Sequence, residues 1–416
     1  MAQHETFLYG DCLADAPELA KRGKYSVGVR TLEFVNPDQI DVLNLEADPQ
    51  ARYDRPITVE VWYPAVIPDE VEELTTYASY TGRSDRDNVQ PFAFQGRALR
   101  DAVVDGSDAP YPLVIVSHGF PGIRYMMTYL TENLASKGFI VAAIDHTEST
   151  YPSVQDFSST LYNRSLDQLF VLDAMAKLNE SDDPLAGMID ADHTGLIGYS
   201  MGGYGALNSA GAGYSDQLHQ HLPVLENRSE GNPAYEASLD DRLKAVIAFA
   251  PWGGDMTFIG APNASMWTAS ALANIKMPSL WIAGDLDDIS VYSGIVKNFE
   301  QSINSERYLL TYENALHNVA PNPPPNTDQY DVYAHLNEPL WDERRLNNIN
   351  QHFITAFLMH YIKGEDHYQY LNPAVEYAND GVYSVDDDKN PIDDNTYWAG
   401  FRPRTAIGMR LRAEKP

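Results

Sequence analysis

The stretch Gly198-Tyr199-Ser200-Met201-Gly202 sets a serine between two glycines. Apolar Leu196 and Ile197 precede it, and small residues, Gly203, Gly205 and Ala206, follow it. This is the pattern of a strand passing through a tight turn into a helix, with the serine hydroxyl exposed at the turn. Only small neighbours let strand and helix approach so closely. The helix N-terminus also aims backbone N–H groups at negative charge beside the serine. Such a serine can attack a carbonyl, provided a base takes its proton and a third group orients the base.

The partners are sought in the chain order serine, acid, histidine, each just past a later strand. The run Leu280 to Ala283 is followed by Gly284 and three aspartates, Asp285, Asp287 and Asp288. Asp287 is the expected acid and Asp288 the alternative. Asp285 reads as a turn-former, its short carboxylate bonding to nearby N–H groups. His317 follows the next run, Tyr308 to Tyr312, and is the expected base among the chain's 11 histidines. His118 and His146 also follow strands but precede Ser200, and His118 is expected to support its own loop. His219, His221 and His335 fall in long insertions, and His352, His360 and His367 on or after a long helix. Backbone N–H groups of Met201 and of Phe120, in His118-Gly119-Phe120-Pro121-Gly122, are the expected oxyanion donors. Trp252, Tyr125 and Tyr199 are candidate pocket walls, with core packing the alternative for each.

These residues must be held by the elements around them. Short apolar runs predict buried strands at Leu113 to Ser117, Phe139 to Ile144, Thr194 to Gly198, Ala245 to Ala250 and Leu280 to Ala283. Tyr308 to Tyr312 is the last clear strand expected. Tyr25 to Phe34 and Ile57 to Tyr63 precede them, the second with alternating faces. Helices are predicted at Met126 to Ser136, Leu166 to Leu178, Met201 to Ala210 and about Gly294 to Ile303, with a long one carrying Ile354, Phe357, Leu358 and Tyr361 on one face. Continuous apolar strands alternating with helices give an α/β fold: a mostly parallel sheet covered on both faces.

Residues 67–110 are polar and read as helical fragments outside the core. Segments 213–241 and 320–345 interrupt the rhythm and are expected to cap the carboxyl edge of the sheet. The chain is thus divided into 1–54, an N-terminal arm with the first strand; 55–365, the core with its caps; and 366–416, a C-terminal extension. The acidic run 386–394 in that extension lacks the spacing of a calcium loop and reads as a solvated surface.

The 416 residues carry 59 acidic against 29 basic side chains, a formal charge of −30. Long-range repulsion then disfavours nucleic acid or an anionic membrane as partner. No apolar run approaches the ~20 residues of a membrane-spanning helix. Cys12 is the only cysteine, so neither an internal disulfide nor a cysteine-based metal site is available. The first residues lack a basic start followed by an apolar stretch, which leaves a cytoplasmic protein, or one exported with its leader removed, as the expectation.

The sequence from Ser117 to His146, taken with Gly198 to Gly203, resembles the platelet-activating-factor acetylhydrolase and dienelactone-hydrolase-like branch of the α/β-hydrolases. It is also similar to polyester-degrading cutinase-type enzymes, which carry a comparable serine motif. The resemblance spans 55–363 at fold level and is specific mainly at 111–147 and 194–206. It implies a serine esterase that needs no metal and no organic cofactor and acts on a small-molecule ester. It carries Ser200 over as nucleophile, His317 as base, and Phe120 and Met201 as oxyanion donors. Dienelactone hydrolases use cysteine where this chain has Ser200. Some acetylhydrolases place the acid where this chain has Ala250 and Pro251. The expected activity is hydrolysis of short-chain carboxylic esters. The alternatives are a non-catalytic binding protein on the same fold, an amidase or peptidase, and a polyester- or phospholipid-type acyl hydrolase.

Overall fold

A computed structural model describes residues 7–219, 222–257, 260–261, 264–386, 390 and 392–416. The apolar runs form strands whose alternate side chains enter two different layers. In Tyr111–Ser117, Leu113 and Ile115 pack on one face of the sheet, Val114 and Val116 on the other. This is the two-sided burial that a helix-covered parallel sheet requires.

Among the described residues, eleven strands make one sheet. Its order runs Met409–Glu414, Arg307–Tyr312, Ser279–Gly284, Leu243–Phe249, Ile189–Tyr199, Tyr111–Ser117, Ile140–Asp145, Arg52–Val66, Ser26–Ile40, ending at the short Leu99–Arg100, while Val103–Val104 pairs with Arg52–Val66 off this path. The strands from Arg307–Tyr312 to Ile140–Asp145 are parallel, and the strands flanking this set pair with it antiparallel. Parallel alignment brings the loops after Ser117, Tyr199, Phe249, Gly284 and Tyr312 to one edge, where such sheets bind ligands. Helices Thr128–Ser136 and Glu343–Tyr361 lie in the layer on one face. Phe157–Leu178, Met201–Ser209 and Tyr292–Gln301 lie on the other. This is the α/β-hydrolase fold.

Helix Phe157–Leu178 starts nine residues earlier than its apolar spacing predicts. Asp156 caps it, accepting from the Ser158 N–H at 2.9 Å. Its first turns are buried yet polar, with Ser159, Thr160, Asn163, Arg164, Asp167 and Gln168 inside, so hydrophobic periodicity could not report them.

Four expectations are corrected. Residues 67–110 hold a hairpin, Thr75–Thr81 against Gln90–Gly96, in place of helical fragments. Tyr77, Ser79 and Thr81 are buried between exposed neighbours, a period of two. Tyr77 reaches the core, its hydroxyl donating to Glu132 at 2.7 Å and accepting from Trp62 Nε1–H at 2.8 Å. Next, 366–416 is not a mere extension, and Tyr308 to Tyr312 is not the last strand. Met409–Glu414 pairs with Arg307–Tyr312 and closes that edge of the sheet, while Trp398 and Phe401 pack on Phe353. The alternating arginines of this edge strand disguised it. Last, 213–241 does not cap the carboxyl edge at the site. It docks at the far end of helix Met201–Ser209: Arg228 donates to Asn208 Oδ1 at 2.8 Å, Tyr235 to the Asn208 carbonyl at 2.7 Å, and Tyr214 stacks on Tyr204.

In the acidic run 386–394, residues 387–389 and 391 lie outside the described residues, as does His221. Among the described residues no helix is long and apolar enough to cross a membrane.

Candidate active site

Ser200 ends the strand Ile189–Tyr199 and opens helix Met201–Ser209 with φ 53° and ψ −112°. That conformation is sparsely populated for a residue with a side chain and costs of order 1–3 kcal/mol. The glycines around it are sterically required. A Cβ on Gly198 would lie 2.2 Å from the Gly202 carbonyl oxygen, and one on Gly202 2.0 Å from that of Ser117. The tight turn lifts the hydroxyl to the rim of the sheet, as the sequence predicts for this motif.

His317 reaches the same point from the loop after Arg307–Tyr312. The Ser200 hydroxyl donates to His317 Nε2 at 3.0 Å, and His317 Nδ1–H donates to Asp287 Oδ2 at 2.9 Å. Asp287 Oδ1 accepts from the backbone N–H groups of Ile289 at 3.0 Å and Ser290 at 2.8 Å. The carboxylate is thus aimed by its own loop. Asp288 is exposed at the rim of the adjoining cavity. Asp285 instead accepts from the Asn314 N–H at 2.6 Å and pairs with Arg410 at 3.3 Å. The Tyr199 ring lies 5.3 Å from the imidazole, its hydroxyl donating to Asn318 at 2.9 Å. Burial pushes the Tyr199 phenol well above its usual pKa, so it stays a neutral donor.

The loop after Ser117 passes close to the nucleophile: a Cβ on Gly119 would sit 3.3 Å from Ser200 Cβ. Neither the Phe120 nor the Met201 N–H forms a hydrogen bond within the protein among the described residues. Two free amide donors beside a serine hydroxyl suit an anionic oxygen. His118 turns away from the cavity, its Nδ1 2.7 Å from the Gly119 carbonyl. His146 lies behind it, and burial lowers its pKa to about 3.

A cavity of about 780 Å³ opens over Ser200 and His317. Phe120, Phe157 and Trp252 form one wall, with ring centroids 5.1 and 5.6 Å apart in edge contacts. The segment 320–345 closes the other side through Tyr330, Tyr333, His335 and Leu336. Trp252 and Tyr199 line this space. Tyr125 does not, and its candidacy as a pocket wall is corrected. Its ring packs on Tyr77 and its hydroxyl donates to Glu60 at 3.1 Å, on the other side of the loop. Phe157, His335, Arg83 and Arg86 are cavity residues that sequence reasoning missed. Phe157 stands at an unseen helix start, and the arginines stand in the turn of an unseen hairpin. Burial lowers the His335 pKa to about 4, so its ring is neutral beside the cavity.

Together these observations set a serine, a histidine and an aspartate in hydrogen-bonded line on an α/β-hydrolase fold. Comparison with known proteins agrees with that class. A family model described as PETase, PET hydrolase-like, matches residues 104–225. That stretch holds the Phe120 loop and Ser200. Cutinase est1 of Thermobifida alba is 28% identical over 214 residues, 51% of this chain and 55% of that protein. The bis(hydroxyethyl) terephthalate hydrolase of Streptomyces coelicolor (strain ATCC BAA-471 / A3(2) / M145) is 24% identical over 213 residues, 51% of this chain and 52% of that protein. The chain spans about half the length of these curated relatives. The ferulic acid esterase from Streptomyces cinnamoneus shares the fold, with a TM-score of 0.54 at 19% identity over 84% of this chain and 94% of that one.

Proposed function

We propose that the protein hydrolyses carboxylic esters by two-step acyl transfer. The observation that carries this reading is the single imidazole shared between Ser200, at 3.0 Å, and Asp287, at 2.9 Å, at the floor of an aromatic cavity. Ser200 Oγ attacks the ester carbonyl while His317 Nε2 takes its proton. The Met201 and Phe120 N–H groups hold the oxygen that becomes negative. The C–O bond to the alcohol then breaks as His317 returns the proton to the departing oxygen. Water, giving a proton to the same nitrogen, attacks the acyl carbonyl, and the acid leaves as the bond to Ser200 Oγ breaks and His317 returns that proton to Oγ. Asp287 keeps the Nδ1–H tautomer and stabilises the imidazolium.

The acyl group is expected to be compact, a short aliphatic chain or a single ring, because Phe120, Phe157 and Trp252 wall the cavity and residues 330–339 cover it. The names of the matched proteins, cutinase, terephthalate-ester hydrolase and ferulic acid esterase, support an ester as the substrate class. Steady-state hydrolysis of 4-nitrophenyl esters of graded acyl length tests this. Activity highest on the shorter chains, and lost in Ser200→Ala, is the expected result. Preference for long chains removes the size argument. No turnover by the folded protein favours a binding role, and faster cleavage of a matched amide favours an amidase.

A further inference from the structure

Behind the loop that carries the Phe120 amide lies a buried polar cluster outside the serine–histidine–aspartate line. Arg55 grips Asp167 through Nε at 2.8 Å and Nη2 at 3.0 Å. Asp167 accepts from His146 Nδ1–H at 2.9 Å, and the Ser117 hydroxyl donates to His146 Nε2 at 2.7 Å. Gln168 Nε2 donates to Ser117 Oγ and to the Gly202 carbonyl, each at 2.9 Å. Arg55 also pairs with Glu148 at 3.1 Å, so both carboxylates of this group bind the one guanidinium of Arg55 directly.

Arg164, on the same helix, is different. Its side chain is buried, and it forms no ion pair among the described residues, Asp167 being committed to Arg55 and His146. The guanidinium donates from Nη1 to the His118 carbonyl at 3.1 Å, and from Nη2 to the Gly119 carbonyl at 3.4 Å and to Ser149 Oγ. Its Nε finds no acceptor. Burying an unpaired charge is costly, so its position calls for a physical reason. Burial lowers its pKa to about 9, which leaves it charged at neutral pH.

The tautomer of His118 follows from its partners. Its Nε2 accepts from the His146 backbone N–H at 3.1 Å, so the proton sits on Nδ1, which donates to the Gly119 carbonyl at 2.7 Å. Burial holds the His118 pKa far below its usual value, and the ring stays neutral. The Gly119 carbonyl therefore takes two donors. That carbonyl and the Phe120 N–H belong to one peptide group. Density drawn toward the oxygen makes the N–H end a stronger donor.

We propose that Arg164 and His118 are positioning residues for the reaction: they polarise and fix the Gly119–Phe120 peptide, and the buried guanidinium adds positive potential behind the oxyanion. The inference rests on the acyl-transfer reading above. A neutral ester carbonyl gains little from this arrangement, and a full negative charge gains much more. The effect therefore falls on kcat and leaves KM nearly unchanged.

The test compares wild type with Arg164→Met and Arg164→Lys on a 4-nitrophenyl ester, with circular dichroism and thermal melting to report folding. For Arg164→Met, kcat is expected to fall by about tenfold to a hundredfold, with KM little changed and Arg164→Lys recovering most of the loss. A trifluoromethyl ketone adds Ser200 Oγ at its carbonyl carbon, the serine proton passing to His317, and leaves an oxyanion. Its affinity should fall by the same factor, while that of the corresponding alcohol, which cannot add, should not. If Arg164→Met does not fold, His118→Leu and His118→Asn carry the test. The asparagine amide can reach the Gly119 carbonyl and leucine cannot, so only the leucine variant should lose kcat. A folded Arg164→Met with unchanged kcat, an equal loss of ketone and alcohol affinity, or equal kcat in the two His118 variants overturns the proposal. A wild type that neither turns over the ester nor binds the ketone defeats the acyl-transfer reading and the proposal with it. A wild type that does both, with unaffected variants, defeats the proposal alone.

Discussion

Asp287→Asn is the substitution whose outcome the local geometry dictates most fully. Asp287 Oδ1 accepts two backbone N–H groups, from Ile289 and Ser290, while Oδ2 faces His317 Nδ1 at 2.9 Å. An asparagine must keep its carbonyl oxygen on the two amides, because its NH2 group cannot accept from them. The NH2 then points at His317 Nδ1 and forces that nitrogen to accept. The ring proton moves to Nε2, which faces Ser200 at 3.0 Å and can no longer take the serine proton. Loss of the working tautomer in a comparable triad costs ~10⁴ in kcat, about 5 kcal/mol of barrier. The two loop hydrogen bonds survive, so the melting temperature should move by no more than a few degrees. The assay is initial-rate hydrolysis of a 4-nitrophenyl ester beside a thermal melt, with Asp288→Asn as control. Asp288 is exposed on the rim, and its variant should keep nearly full activity. Asp287→Asn retaining more than about a tenth of the rate, against the ~10⁴-fold loss expected, would refute the reasoning. So would an equal loss in Asp288→Asn.

Other outcomes follow from strain, burial and edge closure. Ser200→Gly should be more stable than Ser200→Ala by about 1 kcal/mol, because glycine alone relieves the φ of 53°; chemical denaturation of both variants measures it. Stability should fall as pH drops below about 6.5, where the unfolded chain begins to protonate histidines that burial keeps neutral in the native state. His146 and His352 have pKa values lowered to about 3, His335 to about 4, and His118 is also held low. Each such group can contribute up to about 1.4 kcal/mol per pH unit between its two pKa values. Glu132, raised by burial to about 7, and Asp145, Glu73 and Glu338, also raised by burial, act in the opposite sense over part of that range; the four histidines, titrating from about 6.5 in the unfolded chain, outweigh them between pH 7 and pH 5. Flat stability from pH 7 to pH 5 in a melting series would contradict this. Ending the chain at residue 408 should expose the Arg307–Tyr312 edge and lower both melting temperature and solubility, read by light scattering.

What was legible in the sequence was set by which forces leave local traces. Apolar runs mark buried parallel strands, and the glycines around Ser200 mark a turn that sterics make nearly unique, so position points to Ser200 and His317 and leaves Asp287 with Asp288 as its alternative. The start of helix Phe157–Leu178 was hidden because its buried face is polar and serves long-range partners, Arg55, His118 and Ser117. The 75–96 hairpin carries a period of two, but polar residues outnumber apolar ones there and no apolar run marks it. Charges mask strand Met409–Glu414, and nothing in the sequence around Tyr125 shows that its side chain turns toward Glu60. Cavity residues such as Phe157, His335 and Arg83 come from segments distant in the chain, and no spacing rule connects them to Ser200.

The most direct test of the central claim is mass spectrometry of the folded protein after treatment with a fluorophosphonate. The account predicts one adduct per chain, on Ser200 within the peptide containing Gly198 to Gly202, with labelling strongly slowed in His317→Ala. A folded protein that stays unlabelled, or that carries the adduct on another residue, would contradict it.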